Sequence, residues 1–210
     1  MTIRPGSLWG ERLGAVPGIA VAADDATAAA VLAPGAAPDP GTAGPAAPSA
    51  PHRVALTGGS MWSFLGGATA VGRWRTDDAH HHPVDLLEVE IGTTTAWVLA
   101  TLHARRRGRP VAIVGNVGHW HRYRALPRAH PGDGLVDAIW GDLGWSDLLV
   151  VGRRAVTGTH LPHPAITERR AALVVVELER SAVWFADGRR LANGPTARIT
   201  VHPDAGIVVV

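Results

Sequence analysis

A succession of short β-branched and aromatic segments, each closed by turn residues, occupies the sequence from Val84 to Val210. Val84–Ile91 alternates in part, Thr94–Leu102 is rich in Thr, Val and Trp, and Pro110–Val114 follows the polar run Arg105–Arg109. Leu135–Trp140, Ala172–Leu178, Ala182–Phe185, Ala197–Val201 and Ile207–Val210 continue the series. Segments of this kind pair as antiparallel strands, and their number predicts a β-sandwich-like domain over residues 84–210. One helix interrupts it, Trp145–Arg154, with Ser146 placed as its N-cap.

Residues 1–83 read differently. Ile19–Ala23 predicts a short strand, and Asp24 and Asp25 stand where N-caps belong before the Ala-rich helix Ala26–Ala33. From Pro34 to Pro51 the composition falls to Ala, Pro, Gly, Ser and Thr, together with one Asp, which predicts a linker or a long loop. Arg53–Thr57 is a second strand, Gly58-Gly59 a turn, and Ser60 the predicted cap of a helix reaching Leu65. Two strand–turn–helix units make this part α/β. The expected fold class is therefore α/β plus all-β: a short α/β segment followed by an antiparallel sandwich.

Composition removes several chemistries. Cys is absent, so thiolate nucleophiles, disulfides and Cys-held metals are excluded. All 20 basic residues are Arg, which excludes Schiff-base and P-loop lysine mechanisms. The formal net charge of +2 supplies no strong field for nucleic acid, which is not expected as a partner. No stretch reaches the roughly 18 apolar residues of a spanning helix. Glu11, Asp24 and Asp25 interrupt any secretory pattern. A cytoplasmic protein, peripheral to the membrane at most, is expected.

The most informative run is Leu126-Pro-Arg-Ala-His-Pro-Gly-Asp-Gly-Leu-Val-Asp137, preceded by Val114-Gly-Asn-Val117. Downstream come Leu148–Val151, Gly158-Thr-His160, His163-Pro164 and Ala186-Asp-Gly188. In order and approximate spacing this series resembles the diacylglycerol-kinase and bacterial lipid-kinase family, within the NAD kinase–diacylglycerol kinase-like superfamily. The resemblance implies ATP and Mg2+ as cofactors and a lipid hydroxyl as phosphoryl acceptor. It implies a structural metal held by Asp133 with the carbonyls of His130 and Leu135. Independently of the family, an Asp beside a Gly turn suits either a hard cation or a turn in which the carboxylate accepts N–H groups.

Further correspondences fall in the α/β segment. The family's glycine-rich phosphate loop matches Ala23-Asp24-Asp25-Ala26-Thr27; Asp25 and Thr27 keep the family residues, but the glycines are replaced. Phosphate-cradling loops need glycine because backbone N–H groups must come close to the anion, and Asp24 adds a negative charge there. The second phosphate loop falls at Thr57-Gly58, with Ser60 where the family is acidic. The turn that carries the family's proposed general base reads Asp187-Gly188-Arg189, and an Arg cannot accept a proton from an alcohol. The chain also lacks the strand–helix units that precede the first loop in the family. These departures describe a truncated, degenerate member with impaired catalysis. A non-catalytic scaffold, or a module binding lipid or a partner, is the alternative.

Other clusters carry weaker alternatives. His80-His-His82 with Asp77-Asp78, and His119 with His121, are candidate ligands for a His-based metal-binding protein. The Arg105–Arg109 run suits either a solvated turn or an anionic membrane surface. An incomplete sheet leaves an edge that a homodimer would cover.

Overall fold

The structure is a computed structural model that describes residues 9–34, 52–69 and 71–210. The predicted linker lies, apart from Pro34, outside the described residues. In chain order the elements are β1 (Glu11–Arg12), β2 (Ala20–Ala22), α1 (Asp25–Leu32), β3 (His52–Leu56), α2 (Gly59–Phe64), β4 (His80–Ile91) and β5 (Thr94–Val98). They continue with β6 (Thr101–Arg106), β7 (Arg109–Gly115), β8 (Val136–Trp140), α3 (Trp145–Ala155), β9 (Thr167–Ala171), β10 (Leu173–Ala186) and β11 (Arg189–Val209). Two short 3-10 turns, Gly67–Thr69 and Arg73–Arg75, lead into β4. None of the helices is long and apolar enough to cross a membrane.

The main path of the sheet runs β1-β4-β11-β10-β6-β7-β8-β9, antiparallel throughout. The α/β segment joins it without a break. β2 lies parallel to β3, and β3 lies parallel to the end of β11, with Ile207 opposite Arg53 and Val208 opposite Val54. Strand β4 crosses the expected boundary at residues 83/84 in one run. α/β and all-β parts are both present, as the sequence predicts, and they share one sheet.

Side-chain alternation explains how one sheet serves both parts. On β4, Leu87, Val89 and Ile91 enter a core with Val136, Trp184 and Ile199, inside the sandwich. Val84 and Leu86 enter a second core with Ala28, Leu32, Val54 and Met61, under the two short helices. Residues of opposite parity point to opposite faces, so β4 is buried on both sides. Strand β11 repeats the division, sending Ile199 and Val201 to one core and Val208 to the other. Double burial is why this stretch alternates only in part. Gly206 permits the second core to close, because a Cβ there would strike the side chain of Leu32 on α1.

Three sequence boundaries move. Thr94–Leu102 is two strands, divided at Leu99 and Ala100, whose N–H groups leave the ladder and donate to the Asp187 carboxylate at 2.8 and 3.0 Å. The four C-terminal segments fuse into two long strands, β10 and β11, whose pairing absorbs the polar interruptions as register shifts. The N-caps also differ. Gly144 caps α3 in place of Ser146, and Gly58 caps α2 in place of Ser60.

Candidate functional site

Two loops of the α/β segment and one hairpin of the sandwich meet at a cleft of about 800 Å³. Asp24, Asp25, Gly59, Ser60, Asp187 and Gly188 line one side of it. Thr101 and His103 of β6 line it too, as do His119, Trp120 and His121 on the loop after β7.

Asp24 is the N-cap of α1, and its Oδ1 accepts the Thr27 N–H at 2.7 Å, as its place before an Ala-rich helix predicts. Asp25 does something the linear pattern does not show. It is buried, and its carboxylate accepts the N–H groups of Ser60 at 2.6 Å and Met61 at 3.1 Å. It thereby caps α2 from another element. Gly59 makes the approach possible, since it has φ of +96° and a Cβ there would collide with that carboxylate. Burial, and then the charge of Asp187, push Asp25 up to about 7.

The hairpin joining β10 to β11 is a two-residue turn with both central residues left-handed, Asp187 at φ 44° and Gly188 at φ 82°. That is the geometry Asp-Gly sequences favour. The Asp187 carboxylate collects three successive N–H groups, those of Leu99, Ala100 and Thr101. Desolvation raises it to about 6 against the pull of those donors. The turn aims Arg189 back at the first loop. Its Nη2 reaches Asp24 Oδ1 at 3.1 Å, Asp24 Oδ2 at 3.0 Å and Thr27 Oγ1 at 3.0 Å. The Thr27 N–H foremost, and the guanidinium after it, hold Asp24 below the usual carboxylate range. The two departures at Asp24 and Arg189 are thus partners.

The remaining candidate nucleotide residues sit around this core. Ala23 and Ala26 flank the cap, and Thr57 is turned to β2, its hydroxyl and N–H both donating to the Ala22 carbonyl. Gly58 packs so close to the Ala23 carbonyl that a Cβ would collide with it. A nucleotide's phosphates do not fit these loops as they stand. The Ser60 and Met61 donors are already used by Asp25, and Arg189 is already used by Asp24 and Thr27.

The acidic bend lies apart from the cleft lining. Asp133 Oδ1 accepts the Leu135 N–H at 3.0 Å, while Oδ2 is ion-paired with Arg170. Arg170 Nε also stands 3.5 Å from Asp137 Oδ2. Behind the bend, buried Asp85 accepts the N–H groups of Gly134 at 2.7 Å and Asp204 at 3.0 Å. Desolvation raises Asp85 to about 7 and Asp137 to about 6. His130 packs against Trp9 and Phe64, its Nδ1 3.3 Å from the Gly132 N–H. These residues do not fit the family's cation, because a guanidinium already neutralises Asp133 and a turn N–H takes its other oxygen. Among the described residues, no group of three or more His, Asp or Glu is arranged to hold a metal.

Several participants escaped the linear reading. His103 lies on β6 facing the cleft, stacked on Phe185 at 5.0 Å and tilted against Trp120 at 5.2 Å. Its period-two spacing from Thr101 was the available signal. Asp85 read only as one of three acids, with Glu88 and Glu90, in a partly alternating strand. Asn116 was visible in the motif, and its Nδ2 donates to the carbonyls of Asp85 at 3.0 Å and Leu99 at 3.3 Å, pinning the divided strand.

The family described as the YegS C-terminal NAD kinase beta sandwich-like domain matches residues 97–210, and the chain belongs to it. Two solved structures from Bacillus anthracis str. Sterne, each described as a putative diacylglycerol kinase, match with TM-score 0.54 at 12% identity. They cover 74% of this chain and 69% and 68% of their own. At that identity the likeness establishes the fold. No curated protein matches the sequence.

Proposed function

We propose that this chain is a lipid-kinase-like protein whose cleft has lost ATP-dependent phosphoryl transfer and which acts as a lipid-binding module at an anionic membrane surface. The observation that carries the first half is the Arg189–Asp24–Thr27 clasp. Phosphoryl transfer needs positioned phosphates, a neutralising cation and a group that orients the attacking hydroxyl. Here the base position holds a cation, that cation is committed to Asp24, and the helix N-terminus is filled by Asp25.

The second half rests on α3. Trp145, Leu149, Val150 and Val156 are exposed on and just after it, and Arg153 and Arg154 stand in its last turn. Apolar side chains beside arginines suit the interface of an anionic bilayer. The Arg105–Arg109 run contributes less than its density implies, because Arg106 is ion-paired with Asp142 and Arg109 donates to the Leu143 carbonyl at 3.2 Å.

Calorimetry with ATP and magnesium, and an assay of labelled phosphate transfer to diacylglycerol in mixed micelles, test the first half. No heat and no product are expected. Magnesium-dependent product formation that Asp25→Asn abolishes would overturn the proposal. Sedimentation with vesicles containing anionic lipid tests the second, with binding expected to fall several-fold in Trp145→Ser and to weaken with salt.

A further inference from the structure

Three carboxyl groups line the polar cleft, those of Asp24, Asp25 and Asp187, and among the described residues no arginine lines it with them. Asp24 has the Arg189 guanidinium beside it at the rim. Asp25, which is buried, and Asp187, which is half-buried, have no such counter-charge. Burial first, and the charge of Asp187 after it, hold Asp25 up at about 7. Each negative charge there makes the other harder to form, and a cation between them would relieve both.

The backbone leaves acceptors for such a cation. An ionised carboxylate offers about four acceptor positions. Asp25 uses two, on the N–H groups of Ser60 and Met61, and Asp187 uses three, on those of Leu99, Ala100 and Thr101. About three acceptors remain between them, which is the donor number of a primary ammonium. Two further features point the same way. The chain's own cation, Arg189, is already drawn onto Asp24 at the rim. Within the cleft wall, His103 is only 6% exposed and its Nδ1 has no partner. Burial, and then Arg105, lower His103 to about 4, so near neutral pH it adds no competing positive charge. The aromatic rings of Phe64 and Trp120 also line the cleft, and such faces attract cations.

We infer that the cleft binds a small aliphatic diamine or polyamine, with one ammonium between Asp25 and Asp187 and its carbon stem against Phe64 and Trp120. A second ammonium reaches Asp24, where it competes with Arg189. The exchange of ligand class follows from which groups are spent. The N–H donors that an anion would need are taken, whereas acceptors for a cation are in surplus. A neutral diol brings donors without charge and leaves the carboxylates uncompensated. A quaternary ammonium brings charge without N–H donors and leaves the acceptors unmet.

The test is calorimetry on the full chain near neutral pH, without ATP or lipid, using putrescine, 1,4-butanediol, choline and magnesium as probes. Putrescine is expected to bind at least tenfold more tightly than each of the others. Arg189→Gln removes the competing cation and should tighten putrescine several-fold. Asp25→Asn should weaken it at least tenfold. Because Asp25 also caps α2, Ser63→Lys supplies a second variant. Ser63 is exposed on α2 and lines the cleft, and lysine is a good helix former, so this variant folds and sets its own ammonium in the site. It should abolish putrescine binding. The amine favours the ionised form of Asp25, so binding should release protons and its heat should vary with the buffer's ionisation enthalpy. Asp24, Asp187, Arg189 and the cleft histidines 103, 119 and 121 are the other charged or titratable groups about that carboxyl. Butanediol, choline or magnesium matching putrescine overturns the inference. So does a putrescine affinity indifferent to both Asp25→Asn and Ser63→Lys, or a heat independent of buffer. With neither ATP nor lipid in the titration, its failure leaves the outcome of the ATP and vesicle assays untouched.

Discussion

Two arginine–aspartate contacts hold the functional face of this protein, and they are built to opposite specifications. At the cleft rim, Arg189 and Asp24 have side chains 62% and 48% exposed. At the acidic bend, Arg170 is 29% exposed and meets Asp133 and Asp137, at 17% and 6%. Water screens the first pair and attends the second only slightly. Exposed pairs contribute about 0–1 kcal/mol, whereas removing one partner of a buried pair costs roughly 3–5 kcal/mol, because a charge is left without compensation. The rim contact therefore adds little to stability, and the bend contact supports the fold.

The comparison breaks most readily at Arg170. Arg170→Gln should cost roughly 2 kcal/mol in urea unfolding, less than a fully buried pair because the guanidinium keeps some water. Millimolar magnesium should not restore it. Full rescue by magnesium would mark the bend as a cation site and erase the contrast with the rim.

Asp25, next to the rim contact in the chain, offers a test by pH. Its carboxyl sits at about 7 in the folded chain, above the unfolded value near 3.8. Between those values the folded state keeps a proton that the unfolded state has lost, so this group's contribution to stability falls as pH rises from about 4 to 7. The melting temperature of Asp25→Asn, compared with the parent, should therefore decline less steeply across that window. At this chain length each kcal/mol corresponds to about 2–4 °C. Parallel curves for the two proteins would show that Asp25 does not titrate there.

The smallest effect belongs to Arg189. Arg189→Ala should change stability by less than about 1 kcal/mol, the range of exposed pairs. A loss as large as that of Arg170→Gln would mean that the clasp supports the fold and does not merely occupy the cleft.

The sequence made legible whatever is local. Asp187-Gly188 announces a hairpin turn, Asp24 announces a cap, and the β-branched runs announce strands, because each depends on neighbours in the chain. It concealed whatever closes through space. The break after Val98 depends on a carboxylate 86 to 88 residues away, so no window over Thr94–Leu102 reveals it. Asp25 reads as a second helix cap until α2, 35 residues on, is seen to use it. The Arg at position 189 was visible, but its pairing with Asp24 was not. Those residues are 165 apart, and only the fold brings them together.

The doubly buried strands carry a further consequence. Because β4 and β11 turn one set of side chains to the sandwich and the other to α1 and α2, neither half owns a complete interior. Cutting the backbone between α1 and β3 would yield a small peptide and a large remainder with complementary sticky faces. Neither piece should stay dissolved in native form by itself, and mixing them should reconstitute the whole.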